Sequence, residues 1–233
     1  MEILTDLQID IKEQEVLRQV GYKGKKVAPQ GRIDKILKKA VSMGYQLAKP
    51  LALYAWFTIK GMDEKGLMLE GGSRLNIGSH VKLWEGAEYM TAALCTIGAD
   101  LEQSTSELFS KGEPVLAYML DGVGSVAIDS LEALVQQLIC EKAHKSGMMV
   151  GPKLYPGSRE WALREQRVLF SLLPAKKIGI RLTKQCMMIP RKSVSFCSGA
   201  GYEQVWKGLD SEKVINPCQL CSMVNCLYRR LEP

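Results

Sequence analysis

The chain reads as one α+β domain, and three observations predict it. Short apolar runs of strand length alternate with longer stretches whose apolar residues recur at helical spacing. No Pro/Gly/Ser-rich linker is long enough to separate a second domain, and there is no internal repeat. The 233 residues, 46% apolar and 24% charged, suffice for a core that needs no staples.

The elements follow in order. Residues 1–21 predict a short strand and then a helix around Glu13 to Gln19, closed by Gly21. "GYKGKKVAPQG" is a Gly- and Lys-rich connection carrying Pro29. From Arg32 to Leu47, Ile33, Ile36, Leu37, Ala40 and Val41 make an apolar stripe that ends at Lys49-Pro50. Leu51 to Ile59 is a buried strand by length and aromatic content. "LMLEGGSRLNIGSHVKLWEG" predicts short strands and turns, and Glu88 to Ile97 a second buried strand stopped by Gly98.

A helix over 99–110 places Leu101, Leu108 and Phe109 on one face. The strongest helical stripe, from Ser125 to Lys145, uses Ile128, Leu131, Leu134, Val135, Leu138 and Ile139, with Gly122 and Gly124 marking its start. "GMMVGPKLYPGSREW" reads as a loop because it holds two prolines and three glycines. A helix from Trp161 to Leu173, a strand at "KIGIRLT" and a strand at "VSFCSGAG" complete the domain over residues 1–210, with a cysteine-rich tail over 211–233.

The longest apolar run, Leu51 to Ile59, is far below the ~18–20 residues that cross a bilayer. The acidic N-terminal stretch lacks the basic and apolar regions of a signal peptide, so a cytoplasmic, non-membrane location is expected. The +6 net charge is concentrated in Lys23, Lys25, Lys26, Arg32, Lys35, Lys38 and Lys39, against Asp34 alone. A solvated helix face is the preferred reading. No aromatic residues interleave these lysines as in single-strand binders, so no nucleic-acid partner is expected.

No Walker-type loop, dinucleotide G-x-G-x-x-G or G-x-S-x-G elbow is present. Only His80 and His144 are available for imidazole chemistry, so a reaction here relies on a bound cofactor for its difficult step. Of the seven cysteines, three bunch as Cys218, Cys221 and Cys226 in "NPCQLCSMVNCLYRR". A C-x2-C hook lets two thiolates reach one ion from a tight turn, and Cys226 lies near enough to join them. The set suits zinc or an iron–sulfur cluster, with Cys197, Cys186 or an outside ligand as the fourth donor. Three reduced thiols are the alternative. "IPRKS" sets Arg191 and Lys192 beside a strand, where a solvated turn is preferred to contact with an acidic partner.

Five segments in order resemble the reactivation (activation) domain of cobalamin-dependent methionine synthase in its stand-alone form. They are "EVLRQVGYKG", "LEGGSRLNIGSHVKLWEGAEYMTAALCTIGADLE", "MLDGVGSVAIDSLEAL", "LYPGSREWALREQRVLFSLL" and "IGIRLTKQCMMIPRKSVSF". The cysteine tail is similar to tails of the stand-alone proteins.

The resemblance implies a mainly antiparallel twisted sheet with flanking helices. It implies S-adenosylmethionine as ligand, cobalamin on a corrinoid-binding methyltransferase partner, and an electron donor such as flavodoxin or ferredoxin. In that chemistry the oxidised cobalt is reduced and trapped by the sulfonium methyl, which demands alignment of donor and acceptor rather than proton transfer. The family's R-x-x-x-G-Y-P loop falls on Lys153, Tyr155, Pro156, Gly157 and Ser158. Lys153 replaces the arginine, keeping a charge for a carboxylate without the bidentate fork; Ser158 replaces the tyrosine, leaving Tyr155 or Trp161 as the nearby aromatic candidates. Gly157 implies backbone amides near the ligand. An acid that precedes the loop falls on Gly147, and Glu132 lies within one residue of another acidic position, facing the sulfonium. The alternative is a scaffold or redox partner of a corrinoid protein that has lost the methyl donor site.

Overall fold

Successive side chains of a strand point to opposite faces, and the central strands here bury both. On β2 (Leu51–Asp63), Ala52 and Tyr54 enter one apolar cluster while Leu53 and Ala55 enter another. The computed structural model describes residues 1–22, 31–158 and 161–202. Its sheet has the order β4-β3-β2-β5-β9-β6, formed by β3 (Gly66–Leu69), β4 (Arg74–Leu75), β5 (Tyr89–Thr96), β6 (Met148–Leu154) and β9 (Ser193–Tyr202). β1 (Glu2–Leu4) pairs with β2, and every pairing is antiparallel. A separate two-stranded ribbon joins β7 (Arg181–Leu182) to β8 (Met188–Ile189). This is the α+β arrangement that the sequence predicts, with the mainly antiparallel sheet that the resemblance implies.

One face of the sheet carries the helices α1 (Glu13–Gln19), α2 (Arg32–Leu47), α3 (Asp100–Ser110) and α4 (Pro114–Lys145). The other is covered by the Gly78–Trp84 3-10 turn, the Leu163–Glu165 turn, α5 (Gln166–Leu172) and the Ala175–Ile178 turn, around the buried indoles of Trp84 and Trp161.

Helix α4 organises the first face and is longer than its sequence signal. It begins at Pro114, at the first helical position, where proline's missing N–H costs nothing. Gly122 and Gly124, expected at its start, lie in its interior. A Cβ on Gly122 would stand 2.7 Å from Val20, at the end of α1, and one on Gly124 would stand 2.7 Å from Leu101 of α3. Between them Val123 fills the notch at Gly44 of α2, where a Cβ would lie 2.3 Å from the valine methyl. Three helices thus approach one turn of α4, and the glycines are the price of that approach. Among the described residues α4 is the one helix long and apolar enough to resemble a membrane span, and half of that stretch is buried inside the fold.

Five further expectations need correction. Phe109 does not share the buried face of α3: it is exposed, while Thr105 joins Leu101 and Leu108 inside. The segment after Trp161 is a bend and a 3-10 turn before α5, not one helix, and "KIGIRLT" is a 3-10 turn with only Arg181–Leu182 extended. The solvated-turn reading suits Arg191 but not Lys192, whose ammonium lies 3.0 Å from Asp121 and donates to Ser125 at 2.9 Å on α4. The "GMMVGPKL" loop is strand β6, and this correction positions the site.

Candidate functional site at the edge of the sheet

Proline has no N–H for a ladder, so it sits in sheets at edges and bulges. In β6, an edge strand, Val150 opposes Ala200 while Lys153 opposes Ser198. β6 therefore advances three residues against two on β9, through Gly151 and Pro152. The extra residue reverses the facing of the residues beyond it and turns Lys153 and Tyr155 toward α4. The bulge is held from behind: the Trp84 indole N–H donates to the Pro152 carbonyl at 3.2 Å.

On α4, Glu132 faces the sheet and is 9% exposed. Its Oε1 accepts hydrogen bonds from both the Lys153 ammonium and the Tyr155 hydroxyl. The ammonium also lies 5.6 Å from the centroid of the Phe196 ring, within cation–π range. The Tyr155 and Phe196 rings are tilted at 54° with centroids 6.4 Å apart. Phe196 is fully buried on β9, opposite Ala93 of β5. One helical turn beyond Glu132, Gln136 accepts from the Ser198 hydroxyl at 3.4 Å and donates to Cys140 Sγ at 3.6 Å.

A carboxylate this enclosed is compatible with folding because one of its oxygens accepts two hydrogen bonds and its charge is matched. Cys95 lies within reach of the same field: burial, then the Glu132 charge, push its thiol far above the ordinary range, with Lys153 opposing.

The expected site residues thus divide into two groups. Glu132, Lys153 and Tyr155 come together although 21 and 23 residues separate the lysine and tyrosine from the glutamate. Pro156, Gly157 and Ser158 form the adjoining bend, whose amides serve the chain itself. Gly157 N–H donates to the Trp161 carbonyl at 2.7 Å, and Ser158 N–H to the Tyr155 carbonyl at 3.0 Å. The buried Trp161 belongs to the core beside the bend, and Leu163 lies 3.3 Å from where a Gly157 Cβ would be. Gly157 adopts φ +91°, which explains the glycine without a ligand. The buried Ser158 hydroxyl, like the indole N–H of Trp161, has no hydrogen-bond partner among the described residues. Gly147, at the other expected acidic position, is the φ +71° residue that starts the β6 approach after α4.

Phe196, Gln136 and Ser198 are site residues that sequence reasoning misses. Their apolar or helical patterning is readable, but meeting Glu132 and Lys153 depends on cross-strand register. Cys197, the fourth candidate metal ligand, is fully buried in the second core. Burial there drives its thiol far up, away from the thiolate a metal requires. No group of three metal-ligating side chains occurs among the described residues. Cys218, Cys221 and Cys226 lie outside them, as do Lys23, Lys25 and Lys26. Cys186 is buried, and its Sγ accepts from Arg167 Nε at 3.2 Å.

No protein-family profile and no curated protein matches the chain. Among solved structures, the fold is similar to the crystal structure of the MetH reactivation domain bound to AdoHcy. The TM-score is 0.61 at 12% identity, over 85% of this chain and 78% of that one. At that identity the likeness is one of architecture: this chain has the α+β fold of the MetH reactivation domain.

Proposed function

We propose that the chain binds S-adenosylmethionine at Glu132, Lys153 and Tyr155 and supports reactivation of a corrinoid methyltransferase. One observation carries this reading. Lys153 and Glu132, at or beside positions that the family resemblance marks, converge with Tyr155 in a single enclosed cluster. They do so on a fold whose solved neighbour holds AdoHcy.

The donor set suits the ligand. Glu132 is a fixed, mostly desolvated carboxylate, the countercharge that a sulfonium seeks. Lys153 supplies a cation for the ligand's carboxylate, and the Tyr155 ring and the Pro156–Ser158 bend form the adjoining wall. When bound, S-adenosylmethionine supplies a methyl on a cationic leaving group, for acceptance by a corrinoid held on the partner protein. The chain's own residues bind, orient and exclude water; none needs to move a proton, which suits a sequence with two histidines. On this reading the chain is a component of a methionine synthase-type system, with a flavodoxin- or ferredoxin-like protein as electron source.

Calorimetric titration of the full chain tests the reading. S-adenosylmethionine is expected to bind, and Lys153→Glu to weaken binding at least about tenfold by opposing the ligand carboxylate. No heat at millimolar ligand, with no rise in Tm, overturns it.

One observation favours a second reading, in which the fold serves as a redox or scaffold partner of a corrinoid protein. The bend amides bond internally and Lys153 turns inward to Glu132. The cysteine tail would then carry an iron–sulfur cluster or zinc. Anaerobic purification followed by iron, sulfide and zinc assays separates these, and metal-free protein removes the electron-transfer form.

A further inference from the structure

We infer that Lys153 is a displaceable gate whose ammonium occupies a cage for organic cations formed by Glu132, Phe196 and Tyr155. The inference locates its ligand by the reading above and adds to it a resident competitor and a selectivity.

The cage has the components that bind a weakly hydrated cation: one carboxylate and one aromatic face, with a second ring beside them. The Glu132 carboxylate and the Phe196 ring face the same ammonium, the ring centroid at 5.6 Å. The second ring, Tyr155, stands at 54° to the first and fixes the carboxylate through its hydroxyl.

The members differ in freedom. Phe196 is fully buried on a strand with partners on both sides, and Glu132 projects from the interior of α4, its side chain 11% exposed. Lys153 is 26% exposed and sits on the bulged edge strand at the end of a flexible four-carbon stem. The walls are fixed, and the lysine has a path to solvent.

A sulfonium has no N–H to satisfy and is drawn by charge and ring faces alone. The neutral thioether left after methyl transfer lacks the charge, so the cage favours the methylated ligand over its product. As the sulfonium enters, Lys153 leaves Glu132 and meets the ligand's carboxylate. A sulfonium without a carboxylate displaces the lysine with nothing to offer it in return.

The test compares S-adenosylmethionine with 5′-dimethylthioadenosine, the adenosyl sulfonium lacking the amino-acid arm, on the full chain. The second ligand is expected to bind Lys153→Ala at least about tenfold more tightly than wild type. Phe196→Leu added to that variant should reverse most of the gain. Equal or weaker binding to Lys153→Ala overturns the gate. Lys153→Gln, which can still hydrogen-bond Glu132, provides a second variant with the same expected direction. A measurement on wild type needs no variant: saturating 5′-dimethylthioadenosine should raise the acetylation rate of Lys153, read by mass spectrometry. An unchanged rate contradicts the proposal. If S-adenosylmethionine binds wild type while these tests fail, the proposed function stands without the gate. If they succeed while S-adenosylmethionine does not bind, the cage stands without that function.

Discussion

Two glutamate–tyrosine–lysine clusters lie against helix α4 on one face of the sheet, toward its opposite edges. In one, Glu2 of β1 accepts from the Tyr54 hydroxyl at 2.7 Å and from the Lys142 ammonium, which lies 5.8 Å from the Tyr54 ring centroid. In the other, Glu132 accepts from Tyr155 and Lys153, with the ammonium over Phe196. The chemistry is nearly the same, but the solvent is not. The side chains of Lys142 and Glu2 are 50% and 42% exposed, those of Lys153 and Glu132 26% and 11%. Water screens the first pair, so it pins the N-terminal strand weakly. The second keeps its field, so it is costly to disturb and able to recognise charge.

The largest expected effect comes from breaking the enclosed cluster. Lys153→Ala removes the countercharge of Glu132 in a mostly dry setting and should cost about 3 kcal/mol, or roughly 6–12 °C of Tm. A loss below about 1 kcal/mol by urea denaturation would place this cluster on a par with the exposed one.

Next comes the alkaline response of the thiols beside and behind the enclosed cluster. Burial raises the folded-state pKa of Cys95 and of Cys197 above the unfolded value. The folded chain therefore keeps protons that the unfolded chain releases. Stability is intact below about pH 8.5 and falls as pH rises beyond it, by about 1.4 kcal/mol per pH unit for each thiol. Denaturation of Cys95→Ala and Cys197→Ala between pH 8 and 10.5 should each remove one such share of the slope. An unchanged slope would mean that neither thiol is shielded.

Smaller still, Lys142→Ala should cost no more than about 1 kcal/mol. The smallest effect is that of salt. Raising NaCl from 0.05 to 0.5 M should erase most of the Lys142→Ala difference while leaving that of Lys153→Ala nearly unchanged. Equal salt sensitivity of the two variants would remove the distinction.

The legibility of this site in the sequence follows the same physics. Strands β2, β5 and β9 and helix α2 are visible as apolar runs and stripes, because burial demands them. Glu132, Lys153 and Tyr155 are reachable only through family resemblance. Composition makes β6 a loop, since Gly151 and Pro152 oppose regular pairing, and that same irregularity is the bulge that turns Lys153 inward. Gly122 and Gly124 suggest a helix start because their cost in a helix is local, whereas their benefit, room for α1 and α3, is tertiary. The contribution of Phe196 lies in register, which no single segment encodes. The bend at Gly157 is recognisable as a turn, but that its amides bond within the bend is not.

The most direct test of the central claim is calorimetric titration of the full chain with S-adenosylmethionine, wild type beside Glu132→Gln. That substitution keeps the shape of the side chain and removes the charge proposed to hold the sulfonium. The account predicts binding to wild type and a loss of at least about tenfold in the variant, or about 1.4 kcal/mol. Equal affinity of the two proteins, or no heat from either at millimolar ligand, would contradict it.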